Sequence, residues 1–130
     1  MTKICTSIEQ SKKLLSLGLD QSTADMYYRE WKRATKDIRI AHVGKAGKED
    51  LPAWSLSALL ELMPVCIGDD NYFLIIEKDA TYLNEPIWRI SYQYYIKEDA
   101  IAEQRKALLI NAAFEMVCWL IEHEYIKVNK

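Results

Sequence analysis

Residues 111–123 form an apolar run with a helical period and almost no polar face of its own. A helix that is hydrophobic on nearly all sides has to be buried. We therefore expect this helix to be the central packing element of a single core. Its start is not marked, because residues 99–106 contain no helix breaker. Either the helix begins at Asp99, or a loop ends near Lys106.

A first helix is predicted at residues 7–17. Thr6 and Glu9 have the spacing of a capping box, in which the hydroxyl accepts the Glu9 amide and the carboxylate returns to the cap amide. Gly18 follows as the left-handed residue that ends many helices, with Leu19 as its apolar partner. Both ends of this helix therefore carry their own signal.

Start and stop signals also bracket a buried helix of leucines in the middle of the chain. Ser55 is a good N-cap for residues 56–63, and Pro64 ends the helix because it cannot donate the next backbone hydrogen bond. Residues 22–25 repeat the start signal and predict a short helical turn through Tyr27.

Two strands are predicted by composition and alternation. Residues 72–77 are rich in β-branched and aromatic side chains, and residues 88–94 alternate cleanly. One face of the second strand carries Trp88, Ile90, Tyr92 and Tyr94. Together the two segments predict a half-buried hairpin with a long loop. We also expect a short strand within residues 37–43 and a short edge strand at residues 125–128.

These elements predict an α+β fold, in which a small antiparallel sheet has three to four helices packed on one face. The chain has 130 residues, of which 50% are hydrophobic and 28% charged. That is the size and composition of one globular domain, spanning residues 1–130. A domain of this size buries enough surface to be stable without a metal or a disulfide.

The three cysteines, Cys5, Cys66 and Cys118, are widely spaced and form no CxxC pair. This pattern excludes a zinc ribbon and a CxxC redox motif, and it is typical of free, buried thiols in a reducing compartment. The first residues lack the apolar core of a signal peptide, and no apolar stretch reaches the roughly 18 residues of a membrane span. We expect a cytoplasmic protein that does not enter a membrane and carries no cofactor.

Three blocks of the sequence, at residues 17–28, 52–64 and 112–122, resemble a group of small uncharacterised proteins. That group occurs in gut anaerobes of the Bacteroides type, their phages and other mobile elements. Residues 30–48 and 79–85 carry no such resemblance. The resemblance implies a compact domain of bacterial or phage origin, and it brings no activity, cofactor or catalytic residue with it.

The segment 29–48 is the most basic part of the chain. It holds seven Lys or Arg residues and two acidic ones, which gives a formal charge of +5. Because the whole chain has a net charge of −2, the residues outside this segment together carry −7. Cations interleaved with aromatic rings are typical of surfaces that contact phosphates and stack on bases. The alternative is a solvated loop. The candidate contact residues are Tyr28, Trp31, Lys32, Arg33, Lys36 and Arg39.

Aromatic side chains in and beside the predicted hairpin suggest a second surface, for a protein partner. They are Tyr72, Tyr82, Trp88, Tyr92, Tyr94 and Tyr95. The alternative is that most of them line the core under the last helix. Tyr95 falls on the opposite face, so it is the residue of this set that we include among the candidates for partner binding.

Catalytic and metal-binding patterns are weak. His42 and His123 are far apart and have no metal-ligand spacing. Cys118 lies in the apolar run, which predicts an inert thiol, and Glu115 and Glu122 are better explained as a wet strip on the last helix. The leading hypothesis is a non-enzymatic binding or accessory module of a mobile element or phage. The alternatives are nucleic-acid binding through residues 29–48 and, third, a small enzyme with a carboxylate site.

Overall fold

The computed structural model describes residues 3–29, 40–69, 71–94 and 100–128. Within these ranges the chain forms three α-helices, seven β-strands and a 3₁₀ turn at Gln21–Thr23. In chain order the helices and strands are α1 (Ile8–Ser16), β1 (Met26–Tyr28), β2 (Ala41–Val43), β3 (Leu51–Ala53), α2 (Leu56–Leu62), β4 (Cys66–Ile67), β5 (Tyr72–Ala80), β6 (Pro86–Tyr94), β7 (Ala100–Lys106) and α3 (Leu109–Glu122). The α+β class is confirmed.

The larger sheet is antiparallel and has the strand order β4-β5-β6-β7. Its centre is the predicted hairpin, which is confirmed: Leu74 lies opposite Tyr92, and Ile76 lies opposite Ile90. Tyr92 and Ile90 are fully buried, because α3 packs across this face of β6 and β7 and α2 packs against α3. The face of β6 that carries Ile90 and Tyr92 therefore lies in the core, as its sequence predicts, and Ser91 on the other face is buried as well.

Helix α3 has the buried character that its apolar run predicts. Its most deeply buried side chains are Ala112, Ala113, Met116, Val117 and Leu120. It begins at Leu109. Of the two starts left open, the one at Asp99 is wrong, and the loop expected up to Lys106 is instead strand β7 at residues 100–106. Pairing with β6 places Ala102 opposite the buried Tyr92, so tertiary contacts decide the conformation of this segment.

A second sheet has the order β2-β1-β3 and was not predicted. The helical turn expected through Tyr27 is wrong, because Met26 and Tyr28 are buried and Tyr27 is less so, which is the two-residue period of a strand. The start signal at residues 22–25 opens no helix; the 3₁₀ turn is capped by Asp20, whose carboxylate accepts a hydrogen bond from the Ser22 amide at 2.9 Å.

Two further short strands were expected, within residues 37–43 and at residues 125–128. The one within residues 37–43 is found at Ala41–Val43, and residues 37–39 lie outside the described residues. The one at residues 125–128 is wrong. There the backbone amides of Tyr125 and Ile126 both donate to the Leu120 carbonyl oxygen, which turns the chain back onto α3 and buries Ile126.

Helix α1 is capped by Ser7 rather than by Thr6. Ser7 Oγ accepts from the Gln10 amide, and Gln10 Oε1 accepts from the Ser7 amide. Gly18 has φ +93° and ends the helix as predicted, with the Leu19 amide donating to the Leu14 carbonyl at 3.1 Å. Because Ser7 is the N-cap, the Thr6 hydroxyl does not cap the helix and is buried in the protein interior.

Thr6 joins the N-terminal segment to the start of α2. Its amide donates to the Trp54 carbonyl at 2.9 Å, and its Oγ1 accepts from the Trp54 amide at 3.0 Å. Its Oγ1 also lies 2.8 Å from Ser11 Oγ, and all three residues are buried. Three residues earlier, Lys3 Nζ donates to Asn111 Oδ1 at 2.7 Å, which fixes the same segment to α3.

The helices do not share one sheet. Helices α2 and α3 belong to the larger core, and α1 adds the fully buried Leu14 to it while also contacting β3 of the smaller sheet. Leu15 of α1 packs against both hydrophobic clusters and so links them. The arrangement of one sheet with three to four helices on a single face is not confirmed.

Candidate partner-binding surface

Tyr28 does not lie on an exposed surface. Its side chain is 6% exposed, and its hydroxyl donates to the Thr6 carbonyl oxygen at 2.8 Å. Its inclusion among the candidate contact residues is corrected, since the two-residue period of β1 points it into the smaller core. The other six candidates, Trp31, Lys32, Arg33, Lys36, Arg39 and Tyr95, lie outside the described residues.

Of the described cations of the basic segment, Lys45 is engaged in local structure. Lys45 Nζ donates to the carbonyl oxygens of Ser22 and Ala24, at 2.7 and 3.2 Å, so it holds the 3₁₀ turn. Arg29 and Lys48 are exposed. The other four cations of the segment, Lys32, Arg33, Lys36 and Arg39, lie outside the described residues.

The β5–β6 hairpin extends beyond the rest of its sheet. Strand β7 ends with Lys106 opposite Trp88, while β5 and β6 continue through the pairs Asp79–Ile87 and Ala80–Pro86. The loop of residues 81–85 closes this two-stranded extension. Two large apolar side chains project from it: Tyr82 is 94% exposed and Leu83 is 63% exposed. We call this pair the hairpin tip.

Hydrogen bonds within the loop hold the hairpin tip in one shape. The Thr81 amide donates to the Glu85 carbonyl at 2.9 Å, and the Asn84 amide donates to the Thr81 carbonyl at 2.8 Å. Thr81 Oγ1 also accepts from the amides of Leu83 and Glu85, at 3.3 and 3.2 Å. Asn84 takes φ +62°, a conformation that asparagine tolerates better than most residues.

The face of the larger sheet that is turned away from α3 carries a row of charges. Arg89 Nη2 lies 2.7 Å from Glu77 Oε1 and its Nη1 lies 3.2 Å from Glu103 Oε1. The hydrogen bond to Glu77, together with the charge of both carboxylates, raises the pKa of Arg89. Arg105 Nε lies 3.2 Å from Glu103 Oε2. Since these groups are partly exposed, the bridges contribute orientation more than stability.

Groups with potential chemistry are shielded or engaged in structure. Cys118 is buried, and burial raises the pKa of its thiol to about 12, so it is protonated at neutral pH. Burial likewise raises the pKa of Cys5. The His123 ring stacks on Trp119 with centroids 4.0 Å apart, and its Nδ1 is 2.8 Å from the Trp119 carbonyl oxygen. Across the described ranges, no three His, Cys, Asp or Glu side chains gather in a way that could hold a metal ion.

Two surface depressions are large enough to hold a small ligand. One, of about 300 Å³, lies beside the start of α1 and is lined by Lys3, Cys5 and Tyr28 among others. Burial lowers the pKa of Lys3, whose ammonium donates to Gln10 and Asn111. The other, of about 490 Å³, is lined partly by Asp50, whose carboxylate accepts the Gly47 amide. Lys3 and Asp50 are thus engaged in holding local structure.

No protein-family model, curated protein or solved structure matches this chain. Among the helices that the structure describes, none combines the length and the apolar character needed to cross a bilayer. The functional proposal therefore rests on the geometry of the chain itself. The sequence indicates Tyr82 as one of the hairpin aromatics. No sequence pattern indicates Leu83, whose exposure beside Tyr82 is a result of the loop geometry.

Proposed function

We propose that the protein is a non-enzymatic binding module that docks on a protein partner through the hairpin tip. The observation that carries the proposal is the exposure of Tyr82 and Leu83 side by side on a loop of fixed shape. Single exposed hydrophobic residues are ordinary on protein surfaces. An adjacent pair at the end of an extended hairpin is a concentrated apolar anchor, and this favours a binding role.

The fixed loop makes such an anchor efficient. Binding costs free energy when side chains and loops have to be ordered at the interface. Here the hydrogen bonds of Thr81 already order the backbone of the loop. Tyrosine is also enriched among the residues that dominate binding energy, because it buries a large ring with few rotatable bonds.

The tip defines the chemistry of the partner surface. It fits an apolar pocket large enough for a tyrosine ring and a leucine, with a polar group placed to meet the Tyr82 hydroxyl. The charged neighbours Asp79 and Glu85 are exposed at the base of the tip. They suit a pocket with a polar or basic rim, since charges at a rim guide orientation.

The setting that we propose is an accessory role in a mobile element or phage. The support for this setting is the resemblance of residues 17–28, 52–64 and 112–122 to small proteins of such elements. Nucleic-acid binding through residues 29–48 remains the alternative. It predicts affinity that weakens as salt rises and that is lost when Lys32, Arg33 and Lys36 are replaced.

The test uses photo-crosslinking in the native host. A photoreactive amino acid replaces Tyr82 in one strain and Lys127, an exposed residue of the C-terminal segment, in another. We expect one specific crosslinked protein from position 82 that is missing from position 127. The partner identified in this way is then purified, and its affinity for the protein is measured. Tyr82→Ser with Leu83→Ser should weaken binding about tenfold or more.

The matched control removes apolar surface elsewhere. Val43→Ser with Val65→Ser alters two other exposed hydrophobic residues and should leave the affinity unchanged. Equal affinity of the tip variant and the wild type would reject the hairpin tip as the site. Turnover in a broad activity screen, abolished by a polar substitution at one site, would reject the non-enzymatic assignment.

A further inference from the structure

Strand β7 is an edge of the larger sheet. The order β4-β5-β6-β7 leaves its second side without a strand partner among the described residues. An edge of this kind presents backbone N–H and C=O groups that can pair with another chain. Its exposed side chains include the charged Glu103 and Arg105 on the face turned away from α3, Lys106 at the end of the strand, and the apolar Ile101, which is 40% exposed.

Within one chain, the residue directly opposite Arg105 in the sheet does not supply an opposite charge. Its direct neighbour across the ladder is Arg89, a residue of the same charge. Like charges directly opposite each other destabilise a sheet. The carboxylate near Arg105 is that of Glu103, two positions away on the same strand, and Glu103 also bridges to Arg89. An acidic residue directly opposite Arg105 on the free side of β7 would balance this row.

We propose that β7 pairs with β7 of a second copy of this chain, antiparallel and about a two-fold axis through Gln104. In this register Glu103 of each copy lies opposite Arg105 of the other. The row that contains Glu77, Arg89 and Arg105 then ends on Glu103 of the second copy. The two four-stranded sheets become one continuous sheet, with the same face turned outward in both copies. This inference uses the edge of the sheet and does not rest on the hairpin tip.

Charge selects this register over its neighbours. A shift of the two-fold axis by one residue places Glu103 opposite Glu103, or Arg105 opposite Arg105. The open part of β5, beyond its pairing with β4, offers no comparable match. There, a two-fold axis through Glu77 would place Glu77 of one copy opposite Glu77 of the other. An axis through Lys78 would place two lysines opposite each other and Glu77 of each copy opposite Asp79 of the other. Of these two edges, that of β7 is the one that offers opposite charges to a second copy.

The interface is small, because the matched register pairs residues 102–106 of each chain. A small interface gives a dimer that dissociates on dilution. The charges of β7 have another explanation, since natural edge strands carry charged side chains that discourage pairing. The two explanations predict different behaviour of charge-reversal variants, and this difference is the basis of the test.

The test is sedimentation velocity of the full chain over a concentration series at low ionic strength. We expect the wild type to dimerise. Glu103→Arg and Arg105→Glu, each alone, should raise the dissociation constant of the dimer about tenfold or more, because each sets like charges opposite each other. Mixed in equal amounts, the two variants should form a heterodimer, since arginines of one then face glutamates of the other.

Controls of equal charge change separate the register from net charge. Lys127→Glu matches Arg105→Glu, and Glu122→Arg matches Glu103→Arg, at exposed positions away from β7. Both controls should dimerise as the wild type does. A wild type that stays monomeric at the highest concentrations would mean that the charges only guard the edge, and the proposal would be overturned. Single variants that dimerise normally, or a mixture that does not associate, would overturn it as well.

Discussion

Asp25 and Ser55, which are 30 residues apart, join the smaller sheet to the larger core through one carboxylate. Asp25 Oδ1 accepts from the Ser55 amide at 2.9 Å, and its Oδ2 accepts from the Ser55 hydroxyl. The same hydroxyl oxygen accepts from the Ala58 amide and so caps α2. Because the carboxylate orients the cap, the start of α2 depends on a residue that precedes β1.

Replacing Asp25 is therefore expected to destabilise the fold. Asp25→Ala leaves the Ser55 amide without its acceptor and removes the group that orients the cap. We expect a loss of about 1–3 kcal/mol in the free energy of unfolding, measured by chemical denaturation. Asp79→Ala is the matched control, since the Asp79 carboxylate is exposed and accepts from the next amide along the chain. Equal losses in the two variants would contradict the linking role of Asp25.

Buried and exposed leucines should differ in how much their truncation lowers stability. Leu59 of α2 and Leu120 of α3 are fully buried in the larger core. Truncation of either to alanine should cost about 2–5 kcal/mol, through lost apolar contact and the cavity left behind. Leu83→Ala removes the same atoms from the exposed hairpin tip and should change stability by less than about 0.5 kcal/mol. Thermal melts of the three variants that coincide would refute this assignment of the core.

The hydroxyl of Thr6 can be tested with two near-isosteric changes. Thr6→Val keeps the shape but leaves the buried Trp54 amide and the Ser11 hydroxyl short of a partner, which we expect to cost about 1–3 kcal/mol. Thr6→Ser keeps the hydroxyl and loses one methyl group, at a cost of about 1 kcal/mol. Urea denaturation of the two variants should show the larger loss for valine, and the reverse order would contradict the network.

Cys118 predicts a dependence of stability on alkaline pH. Its pKa is raised to about 12 in the folded protein from an ordinary 9.0, so the folded state holds the proton more tightly. This contribution is complete below pH 9 and declines as the pH rises towards 12, because the unfolded chain loses its proton first. Between about pH 8 and 10.5 the stability of the wild type should fall more steeply than that of Cys118→Ala, by up to about 1.4 kcal/mol per pH unit.

The comparison for Cys118 is between the two slopes, since both proteins share all other titrating groups. Cys118→Ala also removes packing, which shifts its whole curve without altering its slope. Parallel stability curves for the wild type and the variant would show that the thiol is not held protonated by burial.

The elements that could be predicted are those with their own signals. Ser55 and Pro64 mark both ends of α2, and the alternation of β6 is long enough to define its buried face. Strand β7 could not be found this way. Residues 100–106 include several good helix formers and no breaker, so only pairing with β6 makes them a strand.

The smaller sheet and the hairpin tip escaped prediction for related reasons. Strand β1 has three residues, which is too short for a periodic pattern. The exposure of Tyr82 and Leu83 follows from where β7 ends beside the hairpin, and sequence does not contain that geometry. Tyr28 was assigned to a surface because it neighbours cations in sequence, while the pleat of β1 turns it into the smaller core.

The bond from Lys3 to Asn111 spans 108 residues of the chain. Contacts between residues so distant in sequence slow folding, because the intervening chain must be ordered before they can form. On the ribosome Lys3 is made 108 residues before Asn111, so this bond cannot form while α3 is still missing. We therefore expect the segment that contains Lys3 to dock late, only after synthesis has passed α3.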